Sequence, residues 1–133
     1  MSLTELPFGL PGRIFRSPMP FGPYDLHGEA YDQFCEEQIG VIVLLTSDEE
    51  CLHKTGCNLR ALYLKAGFQV LYLPIPGFGV PTTDDLEQAV QQTIAYAQAG
   101  HHIVIAQFII RLCLYTAVNS EAVKRNSHRF PVD

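Results

Sequence analysis

The chain is short of charge, of basic residues, of paired metal ligands and of long apolar runs, and each shortage removes a class of function. Nine Lys and Arg stand against fourteen Asp and Glu, for a net charge of -5. The only basic grouping is Lys124, Arg125 and Arg129, so no basic face exists to track a phosphate backbone, and nucleic acid is not expected as a partner. The longest apolar stretch, residues 103–118, is interrupted by Gln107, Arg111 and Thr116. It falls short of the roughly 20 residues that cross a bilayer, so no membrane is expected either. The first residues, Met-Ser-Leu-Thr-Glu, carry neither a positive region nor an apolar signal core. They predict a cytoplasmic protein.

Four cysteines, Cys35, Cys51, Cys57 and Cys113, show no paired CxxC spacing, and a cytosolic chain of this length folds without disulfides. Free thiols are expected. Cys51, His53 and Cys57 could begin a metal site, but a fourth ligand at suitable spacing is lacking, and burial is the commoner fate of cysteine. Neither a metal nor an organic cofactor is expected. What the chain does have is apolar bulk, 47% of 133 residues, enough for one domain with a packed core. The whole of residues 1–133 reads as that single domain.

Five of the nine prolines fall between residues 6 and 23, which makes this segment an extended arm with one short strand near Arg13–Arg16. Arg13 and Arg16 are expected to face solvent, with anion binding by Arg16 as the functional alternative. Residues 25–38 place Leu26, Ala30, Tyr31, Phe34 and Cys35 at helical spacing, with acids opposite, and Gly40 ends the helix. Val41-Ile42-Val43-Leu44-Leu45 is an unbroken apolar run and predicts a strand covered on both faces. Thr46 to Glu50 then opens a helix: its hydroxyls suit an N-cap and its acids the positive end of the macrodipole, a simpler account of Asp48, Glu49 and Glu50 than cation binding. Gly56 interrupts this helix, and a second runs from residues 58 to 66.

Residues 68–73 predict the next strand, and the Pro/Gly-rich stretch 74–81 a loop. The longest helix follows Thr82 and Thr83, with Leu86, Ala89, Val90, Thr93, Ile94 and Ala97 as its buried stripe and Gly100 as its stop. Ile103-Val104-Ile105 then forms a third core strand. Strands alternating with helices predict an α/β fold, a mostly parallel sheet flanked by helices on right-handed crossovers. His101 and His102 precede a strand and are read as turn residues; His27, His53 and His128 have no visible partners.

The sequence from Leu71 through Pro74-Ile75-Pro76-Gly77-Phe78-Gly79-Val80-Pro81-Thr82-Thr83-Asp84-Asp85 to Leu86, followed by a helix and by Gly100-His101-His102-Ile103-Val104-Ile105, resembles the dual-specificity and tyrosine phosphatases. It is most similar to their cyclin-dependent kinase-associated branch, and the resemblance spans about residues 10–105. It implies a cysteine-dependent phosphatase fold, in which the strand matching Ile103-Val104-Ile105 leads into His-Cys, five residues and Arg. Such a loop needs a thiolate of lowered pKa, backbone N–H groups at a helix start and a bidentate Arg for the phosphoryl oxygens. Here Ile105 is followed by Ala106-Gln107-Phe108-Ile109-Ile110-Arg111, and Val41, Cys57, Tyr63 and Asn119 stand six residues after the four cysteines, so Cys-x5-Arg occurs nowhere. The general acid implied after Pro74-Ile75 is replaced by Gly77; Asp84 and Asp85 are the nearby candidates for that role, with helix capping as their structural reading.

The expectation is therefore a truncated phosphatase-like domain, catalytically inactive, whose reading frame leaves the family pattern at Ala106 through a frameshift, insertion or interruption, with residues 106–133 as a divergent tail. The alternative is a non-catalytic binding module, a pseudophosphatase that engages a phosphoprotein or another protein through cleft walls around Phe78. A third is an active enzyme that uses Asp84, Asp85 or Cys113 in unfamiliar roles. Self-association through residues 103–118 is expected if nothing covers that run.

Overall fold

The computed structural model describes residues 3–6, 9–23, 25–74, 83–107 and 121. Among these residues nine elements lie in this order: β1 (Thr4–Leu6), β2 (Ile14–Pro18), α1 (Glu29–Glu36), β3 (Val41–Leu44), α2 (Asp48–Thr55), α3 (Leu59–Lys65), β4 (Gln69–Tyr72), α4 (Thr83–Gln98) and β5 (Ile103–Gln107). The strands form one sheet in the order β1-β2-β5-β3-β4, parallel except where β1 runs against β2. This is the mostly parallel, helix-flanked α/β sheet predicted from the sequence.

The handedness of parallel crossovers accounts for the layers. The connections β2 to β3 and β3 to β4 advance across the sheet in one direction and put α1, α2 and α3 on one face. The connection β4 to β5 runs back the other way and puts α4 on the opposite face. β5 is thereby inserted between β2 and β3, at the centre of the sheet, where all four strand residues Ile103 to Ala106 are fully buried.

Local signals set most boundaries. Ser47 accepts the Glu50 N–H at 3.2 Å and starts α2, and Asn58 accepts the Ala61 N–H at 3.1 Å and starts α3. Gly56, at φ 73°, ends α2 in the left-handed conformation that glycine tolerates best. Of the predicted stripe, α4 buries Ala89, Val90, Thr93, Ile94 and Ala97, and the side chain of Leu86 lies outside the described residues.

Three boundaries differ from expectation, each through contacts distant in sequence. The segment before Leu6 contributes strand β1, because Leu6 and Ile14 lie opposite each other in an antiparallel ladder. α1 begins at Glu29 rather than near residue 25, since the buried Asp25 carboxylate accepts the Glu29 and Ala30 N–H groups at 3.0 and 2.9 Å and caps the helix from outside. β5 continues beyond Ile105 through Ala106 and Gln107, which pair with Ser17 and Pro18 on one side, while Ala106 also pairs with Leu44 on the other. The strand therefore outlasts its β-branched run.

Gly12 fixes the entry of the chain into β2. Its N–H donates to Ala97 O at 2.7 Å, and a Cβ there would stand 2.0 Å from His101 O. Only a residue without a side chain permits that approach.

Candidate functional site

In a sheet of this kind ligands bind beyond the carboxyl ends of the strands, where strand order reverses. The reversal here occurs at β5, which makes the end of β5, flanked by the ends of β2 and β3, the candidate site. On the described residues it is walled by Ser17 and Pro18 from β2, by Thr46 and Ser47 after β3, and by Ala106 and Gln107. Ser17 Oγ donates to Pro18 O at 2.8 Å. Thr46 and Ser17 are both buried.

Ala106 is fully buried and packs with Phe15, Leu44, Cys51 and Tyr63 under α1–α3. Ala106 and Gln107 occupy the two positions at which the sequence resemblance implies His and Cys. A methyl group and a primary amide supply neither a thiolate nor a titrating group.

The next strand end, between β3 and β4, is also unsuited to an anion. Asp48 N–H donates to Tyr72 Oη at 3.0 Å, and the Glu50 N–H goes to Ser47 Oγ, so two of the first N–H groups of α2 are already taken. Arg60 Nη2 pairs with Asp48 Oδ2 at 2.6 Å, and its guanidinium lies 4.2 Å above the centre of the Tyr72 ring. Glu50 is paired with Lys54 at 3.1 Å. Ser47 caps this helix start, and Asp48 holds Arg60 in place.

None of the described thiols stands at the end of β5. Cys35 is exposed on α1, and Cys57 is half-buried between α2 and α3. Cys51 is buried in the first half of α2 with Sγ 3.9 Å from Thr46 O. Burial, reinforced by the charges of Asp48 and Glu50, pushes its thiol up to about 11. That is opposite to the lowered value a nucleophile requires. His53 is exposed and is not gathered with the buried Cys51. Among the described residues no group of three or more His, Cys, Asp or Glu side chains is placed to hold a metal ion.

Asp84 and Asp85 lie exposed in the first turn of α4, where their charge suits the helix amino terminus. Because α4 follows β4, that turn is at the same end of the sheet as the candidate site. Gly77, Phe78, Arg111, Cys113 and His128 lie outside the described residues. Of the run 103–118, residues 103–106 are enclosed at the sheet centre, and 108–118 are outside the description.

Arg13 is exposed, in line with the solvent-facing reading, whereas Arg16 departs from it. Arg13 donates to both Glu5 carboxylate oxygens and to Glu37, all at 3.1 Å, and Arg16 is half-buried. Arg60 and Tyr72 carried no sequence signal, because their meeting depends on β3 lying beside β4.

The architecture is that of the cysteine-dependent protein phosphatases, the dual-specificity and tyrosine type. Kinase associated phosphatase, in a form with the catalytic-site cysteine replaced by serine, superposes with a TM-score of 0.72 at 13% identity, over 95% of this chain and 82% of that one. Tk-PTP is similar as well: a Gly-to-Ala mutant form gives a TM-score of 0.62 at 20% identity, over 98% of this chain and 83% of that one. Its active form gives 0.53 at 17% identity, over 90% and 94%. No protein-family model matches the chain, and no curated protein matches it. The shared feature is thus the fold, close to that of kinase associated phosphatase.

Proposed function

We infer that this chain keeps the dual-specificity and tyrosine phosphatase fold without phosphomonoester hydrolysis. The observation that carries the reading is the end of β5, where Ala106 and Gln107 continue the central strand in register and no cysteine follows with an arginine six residues later. Loss of that loop removes the thiolate, the backbone donors to the phosphoryl oxygens and the bidentate Arg together. These act as one unit, so losing them abolishes rather than reduces turnover. Asp84 or Asp85 acting as a general acid would have no nucleophile to serve.

The test is hydrolysis of an aryl phosphate by the purified chain, with and without vanadate. The expected result is no turnover above that of the buffer. Turnover that vanadate abolishes would overturn the reading.

A second reading, a non-catalytic module that engages a protein or phosphoprotein, is favoured by the packing of the sheet: every described side chain of β3 and β5 is buried. Acidic net charge favours a protein over a nucleic acid. Among the described residues no helix is long and apolar enough to cross a membrane.

Two measurements separate a module from a genetic remnant. A module unfolds cooperatively in urea, whereas a remnant is marginal. Translation of the coding DNA in the other two frames from His101 onward reveals His-Cys-x5-Arg only if a shifted frame produced the divergent tail.

A further inference from the structure

The opposite end of the sheet carries a second concentration of polar contacts, centred on His102. The His102 carbonyl accepts the Gly40 and Val41 N–H groups at 2.9 and 3.2 Å, which ties β5 to β3. Its imidazole Nδ1 accepts the backbone N–H of Arg13 at 3.1 Å, and Ile103 N–H returns to Arg13 O at 2.8 Å. His102 therefore fixes the point at which the segment linking β1 to β2 joins the sheet. The neighbouring anchor, Gly12 N–H to Ala97 O, has no titratable member.

Nδ1 accepts a hydrogen bond only while it carries no proton. A second proton on the ring sets N–H against N–H and breaks the bond to Arg13. The charged groups around the ring come from three elements and their ends. Glu5 on β1 interacts electrostatically with His102. The Arg13 guanidinium opposes a positive ring, but it is already shared between Glu5 and Glu37. Two carboxylates against one guanidinium leave that cluster with one negative charge in excess. His101, the remaining neighbour, stands edge-on to Tyr96 of α4 at 5.5 Å.

We propose that His102 is a proton-operated latch for the amino-terminal arm: the neutral imidazole holds the Arg13 N–H, and the imidazolium releases it and turns toward Glu5. The bond at Gly12 persists in both states, so the response is confined to the join between arm and sheet. Histidine is suited to this because its charge changes in the mildly acidic range.

Amide hydrogen exchange of Arg13 and Gly12 at pH 7.5 and 5.5, each referred to its unstructured rate, tests the proposal. Protection at Arg13 is expected to fall about five- to tenfold in acid, the worth of one backbone bond to a side chain, while Gly12 is unchanged. In His102→Asn the side-chain oxygen can still accept but does not titrate, and the fall should vanish. Equal protection of Arg13 at both pH values, or the same fall in His102→Asn, would overturn the latch. The ring nitrogen shifts of the unmodified protein give a check that needs no variant: a protonated Nδ1 at pH 7.5 also overturns it.

Discussion

On the face covered by α1, α2 and α3, the space above the sheet is filled by rings: Tyr63 meets Tyr31, Phe34 and Phe68 at centroid distances of 6.3, 6.2 and 6.3 Å. Among the described residues the other face is covered by α4, with Ala89, Val90, Thr93, Ile94 and Ala97 against Ile14, Val41, Val43, Leu71, Ile103 and Ile105. Large side chains let three short helices stand off from the sheet and still pack against it. Small ones let α4 approach closely, near enough for its carbonyl at Ala97 to take the Gly12 N–H. The first face is consequently sensitive to loss of volume and the second to gain of it.

Tyr63→Ala is the largest test of that contrast. Tyr63 is fully buried, and its hydroxyl donates to Met19 Sδ at 3.9 Å. Truncation should cost about 3–5 kcal/mol, as for other buried aromatic residues, read as a lowered urea midpoint with the slope unchanged. Ala97→Leu tests the other face, where overpacking should cost about 1–3 kcal/mol. Near-neutral outcomes at both positions would mean that the faces are not closed in these different ways.

Cys51 sharpens the comparison through pH. Its folded thiol is raised to about 11 by burial and by Asp48 and Glu50, against an unfolded value near 9. A raised acid favours the folded state below the unfolded value, and that contribution fades as pH climbs through the folded one. Between pH 9 and 10.5 the protein should therefore lose roughly 1–2 kcal/mol that Cys51→Ala does not lose. Parallel decline of the two proteins would show that the thiol is open to water.

Much of this architecture was legible because its causes are local. Val41 to Leu44 form a strand that buries both faces, Ser47 and Asn58 cap from their own side chains, and the α4 stripe follows from 3.6-residue spacing. What escaped was set at a distance. Thr4–Leu6 carry no apolar run and become a strand by pairing with β2, and Ala106 and Gln107 are strand because β2 and β3 hold them. Asp25 reaches four and five residues ahead, beyond ordinary cap spacing. For the candidate site, the absence of Cys-x5-Arg could be read directly, whereas the closure of the α2 start by Tyr72 and Arg60 required knowing that β3 adjoins β4.

The smallest effect should come from Thr93, and with the opposite sign. It sits fully buried on the close-packed face, and its Oγ1 has no hydrogen-bond partner among the described residues. A hydroxyl removed from water without a partner carries a desolvation cost, which a methyl group of similar shape does not. Valine keeps the β-branch and close to the same volume, so it asks nothing new of a face that tolerates no added bulk. Thr93→Val is expected to raise stability by about 1 kcal/mol, measured as a higher urea midpoint. A loss of that size would instead show that the hydroxyl has a partner beyond the described residues, and that α4 is held by a polar contact as well as by close packing.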